Sequence, residues 1–120
     1  MRNCNRENMT KLVEALESDR YQQTDSFLRD QVPVKYCCLG VACDISGVGE
    51  WYGRRYAAPD DSSETVLPLD VLDWLGLDDD QYDSIELPVT GDTTAMHMND
   101  GGRSFADIAA AIRKTYLEED

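Results

Sequence analysis

Between Arg55 and Arg103 the chain contains neither lysine nor arginine. Phosphate recognition needs cations, so this interval is removed as a direct nucleic-acid surface. Long apolar runs are missing as well: the stretches around residues 36–42 and 105–112 fall well short of the roughly 20 residues that span a bilayer, and no transmembrane helix is expected. Met1-Arg2-Asn3-Cys4-Asn5-Arg6-Glu7-Asn8 starts with charge and reaches neither an apolar region nor a small-residue cleavage site. It does not read as a secretory signal, which predicts a cytoplasmic location. Histidine occurs once, at His97, and of the four cysteines Cys37 and Cys38 are adjacent while Cys4 and Cys43 stand apart. Neighbouring cysteines close only a strained ring, which argues against a disulfide framework. Nor does Cys37-Cys38 with Cys43 supply the two spaced pairs that surround zinc. No metal and no cofactor is expected, and the thiols read as reduced and mostly buried.

Acid is what the chain has in excess. Its 24 Asp and Glu against 11 Lys and Arg give a formal charge of −13. Asp60, Asp61, Glu64, Asp70, Asp73, Asp78, Asp79, Asp80, Asp83, Glu86, Asp92 and Asp100 all fall in the cation-free interval, which predicts a strong negative field on one part of the molecule. Solubility or salt adaptation is the plainer account, since Asp outnumbers Glu sixteen to eight and only three residues are Lys. Apolar residues make up 42% of the 120, with Trp51, Trp74, Phe27, Phe105 and six tyrosines among them, enough to offset chain entropy in one domain spanning 1–120.

Apolar periodicity places the elements. Met9, Leu12, Val13 and Leu16 form one stripe and predict a helix over 6–18. Tyr21, Phe27 and Leu28 predict a short helical turn within 19–31 that Val32-Pro33 ends, and 32–35 read as an extended lead-in. Tyr36-Cys37-Cys38-Leu39-Gly40-Val41-Ala42-Cys43-Asp44-Ile45 is apolar all around a helical wheel, so a helix in the middle of the core is expected, ended by Ser46-Gly47. Gly40 costs such a helix about 1 kcal/mol relative to Ala, which predicts that another element crosses it at close range. Trp51-Tyr52-Gly53-Arg54-Arg55-Tyr56 and Glu64-Thr65-Val66-Leu67 read as two short strands, with the polar residues between them free to close a hairpin. Pro68 at a first helical position and Gly76 as a stop bracket a short helix carrying Leu69, Leu72, Trp74 and Leu75. Asp78-Asp79-Asp80 reads as a solvated turn. Residues 84–89 alternate as a third strand edged by Pro88, 93–98 as a helical turn, and Asn99-Asp100-Gly101-Gly102 as a turn. Ser104 with Asp107 caps a last helix whose buried face carries Phe105, Ile108, Ala109, Ile112 and Tyr116. The sum is an α+β fold of four or so helices around a buried central helix, with a small antiparallel sheet of short strands.

Three blocks in this order carry a resemblance over nearly the whole chain: Tyr36-Cys37-Cys38-Leu39-Gly40-Val41-Ala42-Cys43-Asp44, then Leu67-Pro68 with Val71 and Trp74-Leu75-Gly76-Leu77, then Asn99-Asp100-Gly101 with Ser104-Phe105 and Ile108-Ala109. The chain resembles a widespread family of small, uncharacterised bacteriophage and prophage proteins. The resemblance implies a viral accessory product acting in the host cytoplasm; it carries no reaction with it. His97 and Cys4 lie outside the blocks.

Four readings of function compete. In the first, the aromatics and guanidiniums of Trp51, Tyr52, Arg54, Arg55 and Tyr56 stack and clamp a nucleotide-derived signal molecule of host antiviral defence, with Asn99, Asp100 and Gly101 closing the pocket before the last helix. The plainer alternative is inward-packed rings and arginines paired with nearby acids. In the second, the acidic span with Asp60, Asp61, Asp78, Asp79, Asp80 and Asp83 imitates nucleic acid and occupies a cationic groove on a basic host defence protein. In the third, Cys37 or Cys38 is a nucleophile with His97 as base and Asn99 or Asp100 orienting it, although a cysteine in an all-apolar helix is usually a small core hydrophobe. The fourth, a structural role in the virion, has neither heptads nor a sticky edge run to support it. The first leads: a non-enzymatic binding protein.

Overall fold

The computed structural model describes residues 4–31, 33–77, 85–87 and 93–117. Its helices are α1 (Arg6–Glu17), α2 (Cys38–Ser46), α3 (Leu69–Leu75), α4 (Ala95–Asp100) and α5 (Phe105–Ile112), the last running into a π-helical turn over Arg113–Leu117. Between them lie β1 (Arg29–Gln31), β2 (Val34–Tyr36), β3 (Glu50–Tyr52), β4 (Arg55–Ala57), β5 (Ser62–Ser63), β6 (Glu86–Leu87) and β7 (Thr93–Thr94). The fold is α+β, as the periodicities predict. The strands do not join into one sheet: β1 pairs with β2, β3 with β4 and β4 with β5, and β6 with β7, all antiparallel. Among the described residues no helix is long and apolar enough to cross a membrane.

The helix starts and stops follow from local chemistry. Asn5 accepts the Asn8 N–H at 3.1 Å and so satisfies one of the donors that a helix start leaves open in α1. The predicted stripe of α1 is buried and packs against α2 and α5. At the same end, Asn8 donates through its side chain to the Trp74 carbonyl at 2.7 Å and the Asn5 N–H reaches the Leu75 carbonyl at 2.8 Å, so α1 is docked onto the end of α3. Gly47 and Gly76 stop α2 and α3 in the left-handed region, at φ 66° and 73°.

The central helix is α2. Residues 38–43 of it are buried, and only its last turn, with Asp44 exposed, reaches water. A Cβ at Gly40 would run into the carbonyl of Leu28, the residue just before β1, so the crossing element is the extended segment preceding that strand. Leu28 uses the same carbonyl to accept the Cys37 N–H at 3.2 Å.

Several expectations are corrected. Residues 19–31 form no helical turn. Their backbone groups are taken elsewhere: Thr24 donates to the Tyr36 carbonyl, Gln22 accepts from Tyr36, and Leu28 donates to the Glu64 carbonyl at 2.7 Å. The run 51–56 is itself a hairpin, because Gly53 takes φ 62° at the first position of a two-residue loop that joins Tyr52 to Arg55; the hairpin expected across the polar residues after it also closes, but onto β5 at Ser62–Ser63 rather than onto 64–67. Residues 64–67 form no strand; the Ser63 hydroxyl accepts the Thr65 and Val66 N–H groups at 3.1 and 3.0 Å and turns the chain away from the ladder. Pro68 stands one position earlier than expected, at the cap of α3. Asn99 and Asp100 belong to α4, and only Gly101-Gly102 form the turn. The predicted turn at 78–80 lies outside the described residues, as does the predicted strand at 84–89 apart from residues 85–87.

The crossing at Gly40 yields a test by sign. Helix propensity alone makes Gly40→Ala stabilising by about 1 kcal/mol. The Leu28 backbone makes it destabilising by about 3 kcal/mol, read from the urea midpoint at unchanged slope.

Candidate functional site

The connection from α4 to α5 is short and internally bonded. Thr94 caps α4 by accepting the His97 N–H at 3.1 Å, and Ser104 caps α5 by accepting the Asp107 N–H at 3.1 Å. Between them Gly101 donates to the His97 carbonyl at 3.0 Å, Arg103 donates to the Met98 carbonyl at 3.0 Å, and Gly102 takes φ 91°. The two helices so joined leave a cleft of about 580 Å³, within the size range of small-molecule sites. Met98, Ala110, Ala111 and Gly101 give it an apolar lining; Thr93, His97, Arg103, Asp107 and Lys114 supply its polar groups.

Cations dominate this cleft in a chain of net charge −13. Arg103 donates through Nε to Asp107 Oδ2 at 3.2 Å, with both side chains more than half exposed. Lys114 forms no ion pair among the described residues, in contrast to Lys11 with Glu7, Arg55 with Glu64 and Arg113 with Glu17. The imidazole of His97, exposed on α4, likewise has no hydrogen-bond partner among them. An anion entering the cleft therefore meets donors that no described residue engages.

One wall of the cleft is held from inside by Asn99, which is only 3% exposed. Its Oδ1 accepts the Cys38 N–H and Gln23 Nε2, each at 3.0 Å, and its Nδ2 donates to the Thr24 carbonyl at 2.7 Å. Gln23 also donates to the Arg103 carbonyl at 2.7 Å. Asp100 Oδ1 accepts the Ser26 N–H at 3.0 Å, with Ser26 at φ 70°. Asn99 and Asp100, expected to meet a ligand, thus tie α4 to residues 23–26 and to the start of α2. Only Gly101 of that expected set lines the cleft.

The expected aromatic and guanidinium site is occupied by its own chain. Tyr56 is 2% exposed and its hydroxyl accepts the Gly49 N–H at 2.8 Å. Trp51 donates to Asp44 at 3.1 Å, meets Tyr36 and Tyr56 edge-on, and has the Arg29 guanidinium 4.8 Å from its ring centre. Arg54 lies 4.3 Å from the Phe27 ring centre, and Arg55 pairs with Glu64 at 3.1 Å and donates to Ser62. Tyr52 is 63% exposed, its hydroxyl donating to Glu50. None of these residues lines the cleft. Residues 23–28 lie between the two regions, with Phe27 under Arg54 and Ser26 bonded to Asp100.

The thiols are unsuited to nucleophilic work. Burial pushes Cys37 up to about 11 and Cys38 and Cys43 well above the ordinary thiol value. Cys37 accepts the Gly40 N–H as the cap of α2, and Cys38 donates to the Ala95 carbonyl at 3.4 Å. No hydrogen bond joins either thiol to His97 among the described residues, and Asp100 serves Ser26 instead. Of the acidic surface, Asp61 accepts the Leu69 and Ser62 N–H groups and Asp70 accepts that of Asp60, so these acids brace the start of α3. Asp78, Asp79, Asp80 and Asp83 lie outside the described residues. Those residues contain no group of three or more His, Cys, Asp or Glu able to hold a metal ion.

Sequence reasoning gave Asp107 only a capping role and passed over Arg103, Ala110 and Lys114. Their spacing of three to four residues marks the face of α5 opposite its apolar stripe, a signal that surface ion pairs share.

The class defined so far is a small α+β domain with a cationic cleft in an acidic body. The chain belongs to the family described as Domain of unknown function (DUF8296), whose model matches residues 4–116. No curated protein and no solved structure matches it.

Two outcomes follow from the buried groups. Asn99→Ala leaves the Cys38 N–H and the Thr24 carbonyl short of a partner and costs about 3 kcal/mol, against less than about 0.5 kcal/mol for His97→Ala, both read by urea unfolding. Iodoacetamide at neutral pH leaves Cys37, Cys38 and Cys43 unmodified in the folded protein and labels them once it is unfolded, as read by intact mass. The sign for stability is also set: the raised folded-state value of Cys37 favours the fold fully below pH 9.0, and that contribution is lost as pH rises through about 11.

Proposed function

We propose that the protein retains a small anionic molecule of the nucleotide class in the cleft between α4 and α5 and leaves it chemically unchanged. The observation that carries this reading is the convergence of Arg103, Lys114 and His97 on one cleft, with Lys114 and His97 lacking partners among the described residues, in a chain whose other surface cations are largely engaged. Charge-assisted bonds from such groups are the strong ones in anion recognition. Burial of three of the four thiols, Cys37 and Cys38 among them, supports holding over chemistry, since it removes those nucleophiles from reach.

The resemblance to bacteriophage and prophage proteins supplies the setting. In the host cytoplasm, sequestering a nucleotide-derived signal neutralises a component of antiviral defence without any reaction. The acidic, nucleic-acid-mimicking reading is weaker, because Asp61 and Asp70 are engaged by the protein's own backbone.

Native mass spectrometry of the protein purified from bacterial cells tests the reading. The expected result is a phosphate-bearing adduct that is released unaltered on unfolding, with Arg103→Ala and Lys114→Ala each lowering its affinity about tenfold. An adduct that survives the double substitution but is lost in Arg54→Ala with Arg55→Ala contradicts it, as does release of a converted product.

A further inference from the structure

Asp107 is the one carboxylate among the described residues that line the cleft, and it stands between two cations. A pure anion gains nothing from it. Its Oδ2 accepts from Arg103 Nε, while a carboxylate offers about four lone-pair positions over its two oxygens, so accepting capacity remains that faces a ligand. The ligand that satisfies the whole lining carries an anionic group at one end and hydrogen-bond donors at the other, with an apolar flat part over Met98, Ala110 and Ala111.

We infer, building on the reading of this cleft as an anion site, that it selects a guanine nucleotide, with the donor edge of the base on Asp107 and the phosphate on Lys114 and His97. Guanine is the one common base that presents two adjacent donors, N1–H and the 2-amino group, in the plane of a carboxylate. Adenine and cytosine each set an acceptor beside their amino group, and uracil sets its single N–H between two carbonyls. Asp107 and Lys114 are seven residues apart along α5 and the turn that continues it, so they share a face and stand roughly 10 Å apart along the axis. That separation suits the span from base edge to phosphate in a nucleoside monophosphate. Arg103, held by Asp107 through Nε alone, keeps its planar guanidinium for stacking on the base, and the Met98 thioether is a favourable neighbour for an aromatic ring.

Calorimetric titration of the full chain with guanosine, adenosine and xanthosine 5′-monophosphates and with inorganic phosphate separates the outcomes. The expected result is guanosine monophosphate binding at least about tenfold more tightly than adenosine monophosphate. Asp107→Asn reverses the choice: the amide accepts from N1–H and donates to the 2-carbonyl of xanthine, so the variant loses guanosine monophosphate and gains xanthosine monophosphate. Asp107 is half exposed and this substitution keeps its shape, and circular dichroism verifies that the variant is folded. Equal binding of the guanosine and adenosine compounds, or an Asp107→Asn variant without the exchange, overturns the guanine assignment. Binding of inorganic phosphate with no base preference overturns it while leaving the anion site standing. Absence of binding by every probe overturns both.

Discussion

A helix whose opening turns are buried must have its first donors satisfied without water, and α2, buried from Cys38 to Cys43, is such a helix. Cys37 supplies its thiol sulfur to the Gly40 N–H, and Asn99 supplies an amide oxygen to the Cys38 N–H from α4, 61 residues along the chain. An unmet donor there carries a cost of about 1–3 kcal/mol, so the position of Asn99 is strongly determined. Because Asn99 also grips Thr24 and shares Gln23 with the Arg103 carbonyl, the demand of the central helix reaches the turn that opens α5. The cleft inherits its geometry from that buried cap.

The surface divides its charge accordingly. Arginines near the strands are held by rings and acids of the same chain: Arg29 by Trp51 and the Gly53 carbonyl, Arg54 by Phe27, Arg55 by Glu64. Such contacts stabilise two short hairpins that have few ladder bonds of their own. Among the described residues Lys114 and His97 make no side-chain bond or ion pair, and Arg103 is only partly used. In an acidic molecule these groups are where the proposed anion would sit, and the cysteines that invite a catalytic reading are buried in the core.

Much of the fold was legible because its causes are local. The stripe Met9, Leu12, Val13 and Leu16, the all-apolar run of α2 and the Ser104 cap each announce an element within a few residues, and Gly40 announced a close crossing. Residues 19–31 were misread because Tyr21, Phe27 and Leu28 carry helical spacing while their backbone partners, Tyr36, Glu64 and Asn99, lie far off in sequence. The hairpin at Gly53 was hidden by the aromatic character of the run around it. The site was less legible than the fold. Aromatics beside arginines imitate a nucleotide clamp, and nothing local reveals that Tyr56 and Trp51 are engaged, whereas Asp107 and Lys114 look like ordinary helix surface until α4 is laid beside them.

Amide proton–nitrogen correlation spectra during titration with inorganic pyrophosphate address the placement of function most directly. The account predicts concentration-dependent shifts at His97, Gly101, Arg103 and Lys114 with the amides of α2 unmoved. Shifts confined to residues 51–56, or a spectrum indifferent to the anion, contradict it.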